Sequence, residues 1–526
     1  MTKYLLSRIL RSVISLIVVV LIVMVMIYSC LDRNLIFKQD PSWSRMKHNA
    51  KTEYEMIQWE KFGYVDYVPY TDWLKEQLKA GKITQEEYNN SSTIGATADK
   101  DTEATAAKIA EFTEYYKSQG YKIERLDGKF MGKTKRYHEG GQPRLYAYRD
   151  IPLYNRLWTY VTGLINVDNI HKAEGDVGER GIKFTLFDPA YGGEKFSPAI
   201  IGNGTHHKYL LYCNDTFPYI HQNLVKIQLG KSYSINENID VFQTMTETQG
   251  SPAKSMVTYP TGLVAEDAEN LHTATYVEDS LTEKNPVIFE RYVDDYTNTQ
   301  INRDGMSRMG YSFTIGILSV ILSYLLGIPL GITMALKKDK WVDKLGTLYI
   351  VFIIAVPSLA YIFLFKAIGT KVGLPTTFDT VNPTWLMYVL PVISLALPSI
   401  ANLMKWLRRY MIDQMNADYV KFARSGGMSE GKIFTKHILK NAIIPIVQGI
   451  PGSVLFALTG AIITERVYVV PGVGNTLTKA INYFDNGVIV GIALFYAVLT
   501  VISTILGDVL MTIMDPRISL TTKKAR

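Results

Sequence analysis

Six apolar stretches, each of about twenty residues or more, limit what this chain can become more than any other feature. They cover about 9–29, 311–336, 346–369, 385–404, 442–463 and 488–513. A helix of about 20 mostly apolar residues crosses the hydrocarbon of a bilayer. No water is available there to satisfy a bare backbone, so the segments must be helical. The chain therefore reads as an α-helical polytopic membrane protein with six transmembrane helices. Pro357 falls in the third stretch, and Pro391 and Pro398 in the fourth; such breaks are tolerated where neighbouring helices cover the freed backbone groups. Between the first and second spans lies a polar, Tyr-rich block, 31–310.

Charge gives the direction of threading. The formal net charge is +7, which could suggest nucleic acid, but the basic residues gather in short loops beside the apolar spans. Lys3, Arg8, Arg11, the Lys337–Lys344 loop, the Lys405–Lys440 loop and the Arg517–Arg526 tail share one side. The opposite short loops hold only Lys371, Arg466 and Lys479. Lys and Arg favour the cytoplasmic side. Both termini and the 405–441 segment are thus expected in the cytoplasm, with 31–310 outside. Two charges lie within spans. Lys366, near an outer end, can snorkel to the interface; Asp508, near the inner surface, is expected to pair with a cytoplasmic Lys or Arg. Residues 9–29 read as a retained helix, and the two cysteines, Cys30 and Cys213, form no disulfide framework.

The outer block carries its own order. Trp73–Leu78 and Thr84–Asn89 read as short helices, with Thr84 and Glu87 forming a capping box. Thr97–Gly120 has a long helical pattern. Strand-like runs follow at 183–187, 208–212 and 255–259, so an α+β extracytoplasmic domain is expected. Gly132-Lys-Thr134 and Gly230-Lys-Ser232 superficially suggest nucleotide binding. A phosphate loop also needs a Gly five residues before its second Gly, where this chain has Asp127 and Val225. Exposed turns are the better reading, and any ATP hydrolysis must come from another subunit. His206-His207 is the only histidine pair. Adjacent strand residues face opposite ways, so no metal site is expected, nor any cofactor.

The segment most suggestive of function is the basic stretch between the fourth and fifth spans. Asn416 reads as a helix N-cap and Asp418 suits the positive end of the helix dipole. Gly426-Gly427 can stop that helix, because glycine accepts left-handed backbone angles. Ser429 is then expected to cap a second helix carrying Ile433, Phe434 and Ile438. Such a knob at a membrane surface can dock a partner.

The run Asp418-Tyr-Val-Lys-Phe-Ala-Arg-Ser-Gly-Gly-Met-Ser429 resembles the coupling segment of binding-protein-dependent ABC importer permeases. Its nearer likeness is to the OppB/DppB type of the oligopeptide/dipeptide/nickel family. His437–Pro445, Glu465–Gly474, Asp515-Pro-Arg-Ile518, Leu325–Leu336 and the basic start Tyr4–Arg11 are similar to that family's motifs, in the same order. Two departures stand out: Lys421-Phe422-Ala423 replaces the broader Glu-Ala-Ala signature, and Gly426 stands where the family usually has Lys. The long outer block resembles the family's AmiC-like form, and Leu229-Gly-Lys-Ser232 is similar to that block's L-G-x-S.

The resemblance implies a type I ABC importer fold and a pore subunit without its own ATPase. It implies domains at 1–30, 31–310, 311–516 and 517–526. It also implies a second, OppC-like permease subunit, two cytoplasmic ABC ATPases, an extracellular peptide-binding lipoprotein and a peptide substrate, in a bacterial cell membrane. Asp418, Tyr419, Phe422, Ala423, Arg424 and Gly427 would carry ATPase coupling: Tyr419 and Phe422 as packing knobs, Asp418 and Arg424 in polar contacts, Ala423 and Gly427 for close approach. Two other readings stand beside it: an FtsX/MacB-like mechanotransmitting permease, and a membrane-anchored sensor or enzyme using the outer domain.

Overall fold

The computed structural model describes residues 2–514 other than 31, 39, 133–135, 168–178, 189–192, 195, 214–217, 220–224, 234–239, 277–285 and 293–295. The expected tail, the Asp515–Ile518 motif and Lys133-Thr134 lie outside the described residues. The chain opens with α1 (Thr2–Cys30), whose 29 residues exceed what a bilayer crossing requires. The polar block returns to the far end of this helix through α2 (Leu153–Gly163), where Leu157 and Tyr160 pack on a core containing Val20 and Met24.

The membrane portion continues with α3 (Arg308–Leu336), α4 (Trp341–Ala355), α5 (Ser358–Lys371) and α6 (Leu386–Met415). After α7 (Asp418–Ser425) come α8 (Lys440–Gln448), α9 (Ile450–Tyr468), α10 (Val473–Asn482) and α11 (Asn486–Met514). Among the described residues five helices are long and apolar enough to cross a membrane, or six if the bent pair α4–α5 forms one span. The third apolar stretch is therefore not one tolerated kink: α4 and α5 meet at 107°. Val356 takes an extended conformation before Pro357 (φ −86°, ψ 128°), as the clash with a proline ring demands. The fifth stretch shifts too. Its span is Ile450–Tyr468, and the residues before Gly449 form the separate helix α8.

Glycine sets a tight contact between α3 and α6. In Gly327-Ile-Pro-Leu-Gly331 the glycines lie one turn apart on one face of α3, where small residues let helices approach closely. A Cβ on Gly327 would sit 2.9 Å from that of Leu403, and one on Gly331 would sit 3.2 Å from that of Leu407. The first and last of these helices also meet: Arg8 in α1 forms an ion pair with Asp508 in α11, the partner type expected for that carboxylate. Lys366 joins α5 to the end of α9, its Nζ donating to the Val467 carbonyl at 2.6 Å.

The polar block is mixed α and β. Val65–Pro69 and Lys122–Leu126 flank Arg144–Asp150 in an antiparallel sheet. The helices Tyr70–Lys79 and Glu103–Ser118 supply Tyr70, Trp73, Phe112 and Tyr116 to the core on that sheet, and Gln85–Ser91 packs Tyr88 against it. The Thr84–Glu87 capping box is present. The third of these helices starts later than its sequence pattern, with Thr102 as N-cap after a separate turn at Ala98–Lys100. A four-stranded antiparallel sheet follows, starting with Gly181–Phe187 and Phe196–Asn203, then the ladders Ser255–Thr258 with Val264–Asp267 and Glu269–Tyr276 with Tyr296–Ile301. The His206 and His207 rings do not point apart; they meet edge to face, 4.8 Å between centroids. Among the described residues no group of three or more His, Cys, Asp or Glu converges as a metal site.

Candidate coupling and permeation site

The knob after α6 is built around one side chain. Val420 is fully buried, in a cluster with Leu403, Leu407 and Met411 of α6 and with Ile433, Ile438 and Ala442 beyond it. Ala423, one turn on, packs against the same cluster. The opposite face of α7 turns away from the molecule. Phe422 is 76% exposed, and Asp418 and Lys421 pair with each other at 2.9 Å on that face. The Lys421 ammonium holds the Asp418 carboxyl below its usual range.

A glycine turn closes the helix. Gly427 has φ +77°; its N–H donates to the Arg424 carbonyl and that of Met428 to the Ala423 carbonyl, each at 3.1 Å. This is the Schellman pattern that satisfies the last carbonyls of a helix. Arg424 bridges the turn with a two-pronged bond to Glu430, at 2.6 and 3.1 Å, which holds the Glu430 carboxyl below its usual range. Tyr419 is tied within the knob: Asn441 donates to its hydroxyl at 3.1 Å, and the hydroxyl donates to Gln414.

Some sequence expectations need correction here. Asn416 does not cap α7. It ends α6, and its side-chain amide donates backward to the Ile412 carbonyl at 3.0 Å, while Ala417 occupies the N-cap position. Ser429 does hold the N-cap position of Glu430–Ile433, but its side chain makes no capping bond. Of the six residues singled out, Phe422 alone presents a large apolar side chain outward. Ala423 is half-buried against the core, Tyr419 is held by Gln414 and Asn441, and Asp418 and Arg424 are exposed but already paired. A Cβ on Gly427 would meet nothing within 4 Å, so this glycine is required by its backbone angle and not by a close contact. Val420 was missed, although its spacing of three from Ala423 marks a helix face. Glu430 carries no such local signal.

Beside this cluster, and sharing Leu403 and Ile446 with it, lies a cavity of about 620 Å³. Asn402, Trp406 and Tyr410 line it from α6, Tyr324 from α3, and Ser453 and Phe456 from α9. Among the described residues no Asp, Glu, Lys or Arg lines it. The Tyr324 and Ser453 hydroxyls meet at 3.1 Å. Residues four apart share a helix face, so α6 carries two adjacent stripes: 402, 406 and 410 on the cavity, 403, 407 and 411 on the knob.

Two other motifs now have a physical basis. Glu465 is completely buried; it accepts from Ser312 Oγ at 2.6 Å and from the Asn475 N–H at 3.0 Å, at the start of α10. A Cβ on Gly472 would lie 2.4 Å from that carboxylate. The spacing from Glu465 to Gly474 thus folds a turn around a buried acid. The second motif, Leu229–Ser232, is no phosphate loop. Ser232 Oγ donates to Asp485 at 2.6 Å and the Tyr233 N–H donates at 3.0 Å, while the same carboxylate accepts the Val488 N–H at 3.2 Å in the first turn of α11.

Comparison with known proteins shows the family. Residues 327–520 match the family described as the binding-protein-dependent transport system inner membrane component. The chain is 35% identical over 528 residues, 99% of each protein, to the oligopeptide transport system permease protein AmiC of Streptococcus pneumoniae. It is 29% identical to the dipeptide transport system permease protein DppB of Bacillus subtilis, over 40% of this chain and 68% of that one. It is 28% identical to the oligopeptide transport system permease protein AppB of Bacillus subtilis, over 40% of this chain and 70% of that one. The AmiC likeness runs through the polar block as well as the membrane helices.

Proposed function

This chain belongs to the binding-protein-dependent transport permeases of the oligopeptide/dipeptide, OppB/DppB, type, and on that premise we propose how its geometry serves import. It is a permease subunit of a peptide importer, and ATP hydrolysis belongs to separate subunits. The mechanotransmitting and membrane-anchored enzyme readings are not favoured. In our reading the chain is one half of a translocation pathway, completed by a second permease, with α4–α5 counted as one of six spans. Both termini and α7 face the cytoplasm of a bacterial cell, and 31–310 lies outside. The Arg8–Asp508 pair supports a common side for the two ends. The division into 1–30, 31–310, 311–516 and 517–526 follows from that threading.

The observation that carries the mechanism is the double stripe on α6. An ATPase pressing on Phe422 would load the Val420 cluster, and that cluster rests on the helix that walls the uncharged cavity. Movement of the knob therefore becomes movement of the cavity wall. A pathway lined by hydroxyl, amide and aromatic groups suits peptides of varied charge, because no fixed charge selects or traps one sequence. Asp418 and Arg424 would contribute polar contacts to the ATPase groove, Tyr419 and Ala423 would brace α7 from within, and Gly427 would set its exit. An extracellular peptide-binding protein would deliver cargo to the 31–310 side.

Phe422→Cys, in a variant lacking Cys30 and Cys213, tests the arrangement. A membrane-impermeant thiol reagent should label it in inside-out vesicles, and bound ATPase should block the reaction. Labelling in intact cells would overturn the assignment of α7 to the cytoplasm.

A further inference from the structure

A second cavity, of about 310 Å³, lies at the opposite end of the bundle from the Arg8–Asp508 pair. Its walls come from the end of α1 (Met24, Tyr28), from α2 (Arg156, Tyr160), from the Leu229–Tyr233 loop and from the start of α11 (Gly487, Val490). Among the described residues three lining side chains are cationic, Lys61, Arg156 and Lys231, and none is acidic. Arg156 is held against two tyrosines, its Cζ 4.1 Å from the ring centre of Tyr28 and 3.9 Å from that of Tyr64. Among the described residues its guanidinium has ring contacts but no ion pair or hydrogen bond. The nearby carboxylate of Asp485 is buried and already accepts from Ser232, Tyr233 and Val488. A guanidinium fixed on aromatic rings, with its donors unspent, is arranged to take an oxyanion.

The surroundings identify the source of that anion. α2 buries Leu157 and Tyr160 on the core shared by α1 and α11. Tyr154 and Trp158, one turn apart on its other side, are each 70% exposed. Tyrosine and tryptophan at this level of a membrane protein sit among lipid headgroups. Met24 and Val490 bring the cavity's inner wall down to the apolar spans, while Thr159 and Lys231 on its rim are exposed. We propose that this cavity binds the phosphate-bearing headgroup of an anionic phospholipid from the outer leaflet, with Arg156 and Lys231 as its cationic ligands. The lipid would fill the seam between the first span, the last span and the polar block. The inference rests on the threading proposed above, and its test uses lipid and not transport.

The assembled importer is placed in nanodiscs of one part phosphatidylglycerol to four parts phosphatidylcholine, then stripped with detergent, and the retained lipid is counted by mass spectrometry. The wild type should keep phosphatidylglycerol in excess of its share, and Arg156→Gln should lower that excess about tenfold. Lys231→Gln, at an exposed rim position and with the backbone unaltered, should lower it severalfold in a protein of unchanged thermal stability. Lys79→Gln, which removes a positive charge from a distant helix, should leave it intact. Equal retention by Arg156→Gln and the wild type would overturn the proposal. So would stabilisation by inorganic phosphate alone in pure phosphatidylcholine, since the site would then take a free anion and no lipid.

Discussion

Gly427 and Val420 do opposite work in the knob, one through its backbone and one through its side chain. The left-handed φ of +77° at Gly427 costs an ordinary L-residue roughly 1–2 kcal/mol, while asparagine tolerates that region better than most. No neighbour would touch a Cβ there. Gly427→Asn should therefore keep most peptide uptake, whereas Gly427→Val should reduce it at least tenfold with normal membrane levels. Equal uptake by the two variants would show that the turn does not set the coupling geometry. At this scale the sequence was partly readable. The glycine stop followed from residue type, and so did Asp418 in the first turn. Asn416 misled because a good capping residue can equally finish the preceding helix. The Arg424–Glu430 bridge joins residues on two different helices, so no helical spacing announces it.

At the scale of elements, α6 and the helices on its flanks decide the architecture. The Gly327/Gly331 face of α3 lets α6 approach until Leu403 and Leu407 stand where glycine side chains would be. Adding a methyl there overpacks the contact, typically at about 1–3 kcal/mol. Gly327→Ala should lower the thermal midpoint of the purified chain clearly. Gly452→Ala, in a glycine whose Cβ would meet nothing within 4 Å, should not. A rise in both would mean that helix propensity, which favours alanine over glycine, and not contact with α6, governs. The spans were legible because twenty apolar residues have few alternatives in a bilayer. The angle at Pro357 was not: proline guarantees a break, but the 107° turn depends on what α4 and α5 pack against. The start of the fifth span was blurred for a related reason, since the apolar run crosses Gly449 without a change in composition.

Across the whole molecule, the polar block was legible only in pieces. The capping box at Thr84 and the strand runs after residue 180 are local signals. The pairing of Val65–Pro69 with Arg144–Asp150 brings together residues about eighty apart, and nothing in a local pattern encodes it. The block's attachment was hidden as well, because Leu229, Val241 and Met245 belong to the same core as Val20, Met24, Val488 and Ile492. Removing all of 31–310 would strip that core. Removing only 251–303 spares it, because Gly250 and Asp304 are already hydrogen-bonded at 2.9 Å and can be rejoined. If this lobe receives the peptide-binding protein, the shortened chain should still purify with its ATPases while capture of that protein falls sharply. Undiminished capture would remove the lobe from the docking surface.

The contact between Gly487 and the Lys231 carbonyl leaves no slack: a methyl group there would lie 1.9 Å from the oxygen. The last described membrane helix is thus keyed into the large polar block like a shaft into a handle. If α11 turns during the pumping cycle, the handle must turn with it. A rigid ligand clamped across the surface of that block should then act as a brake, slowing nucleotide turnover by the partner ATPases without entering the peptide path.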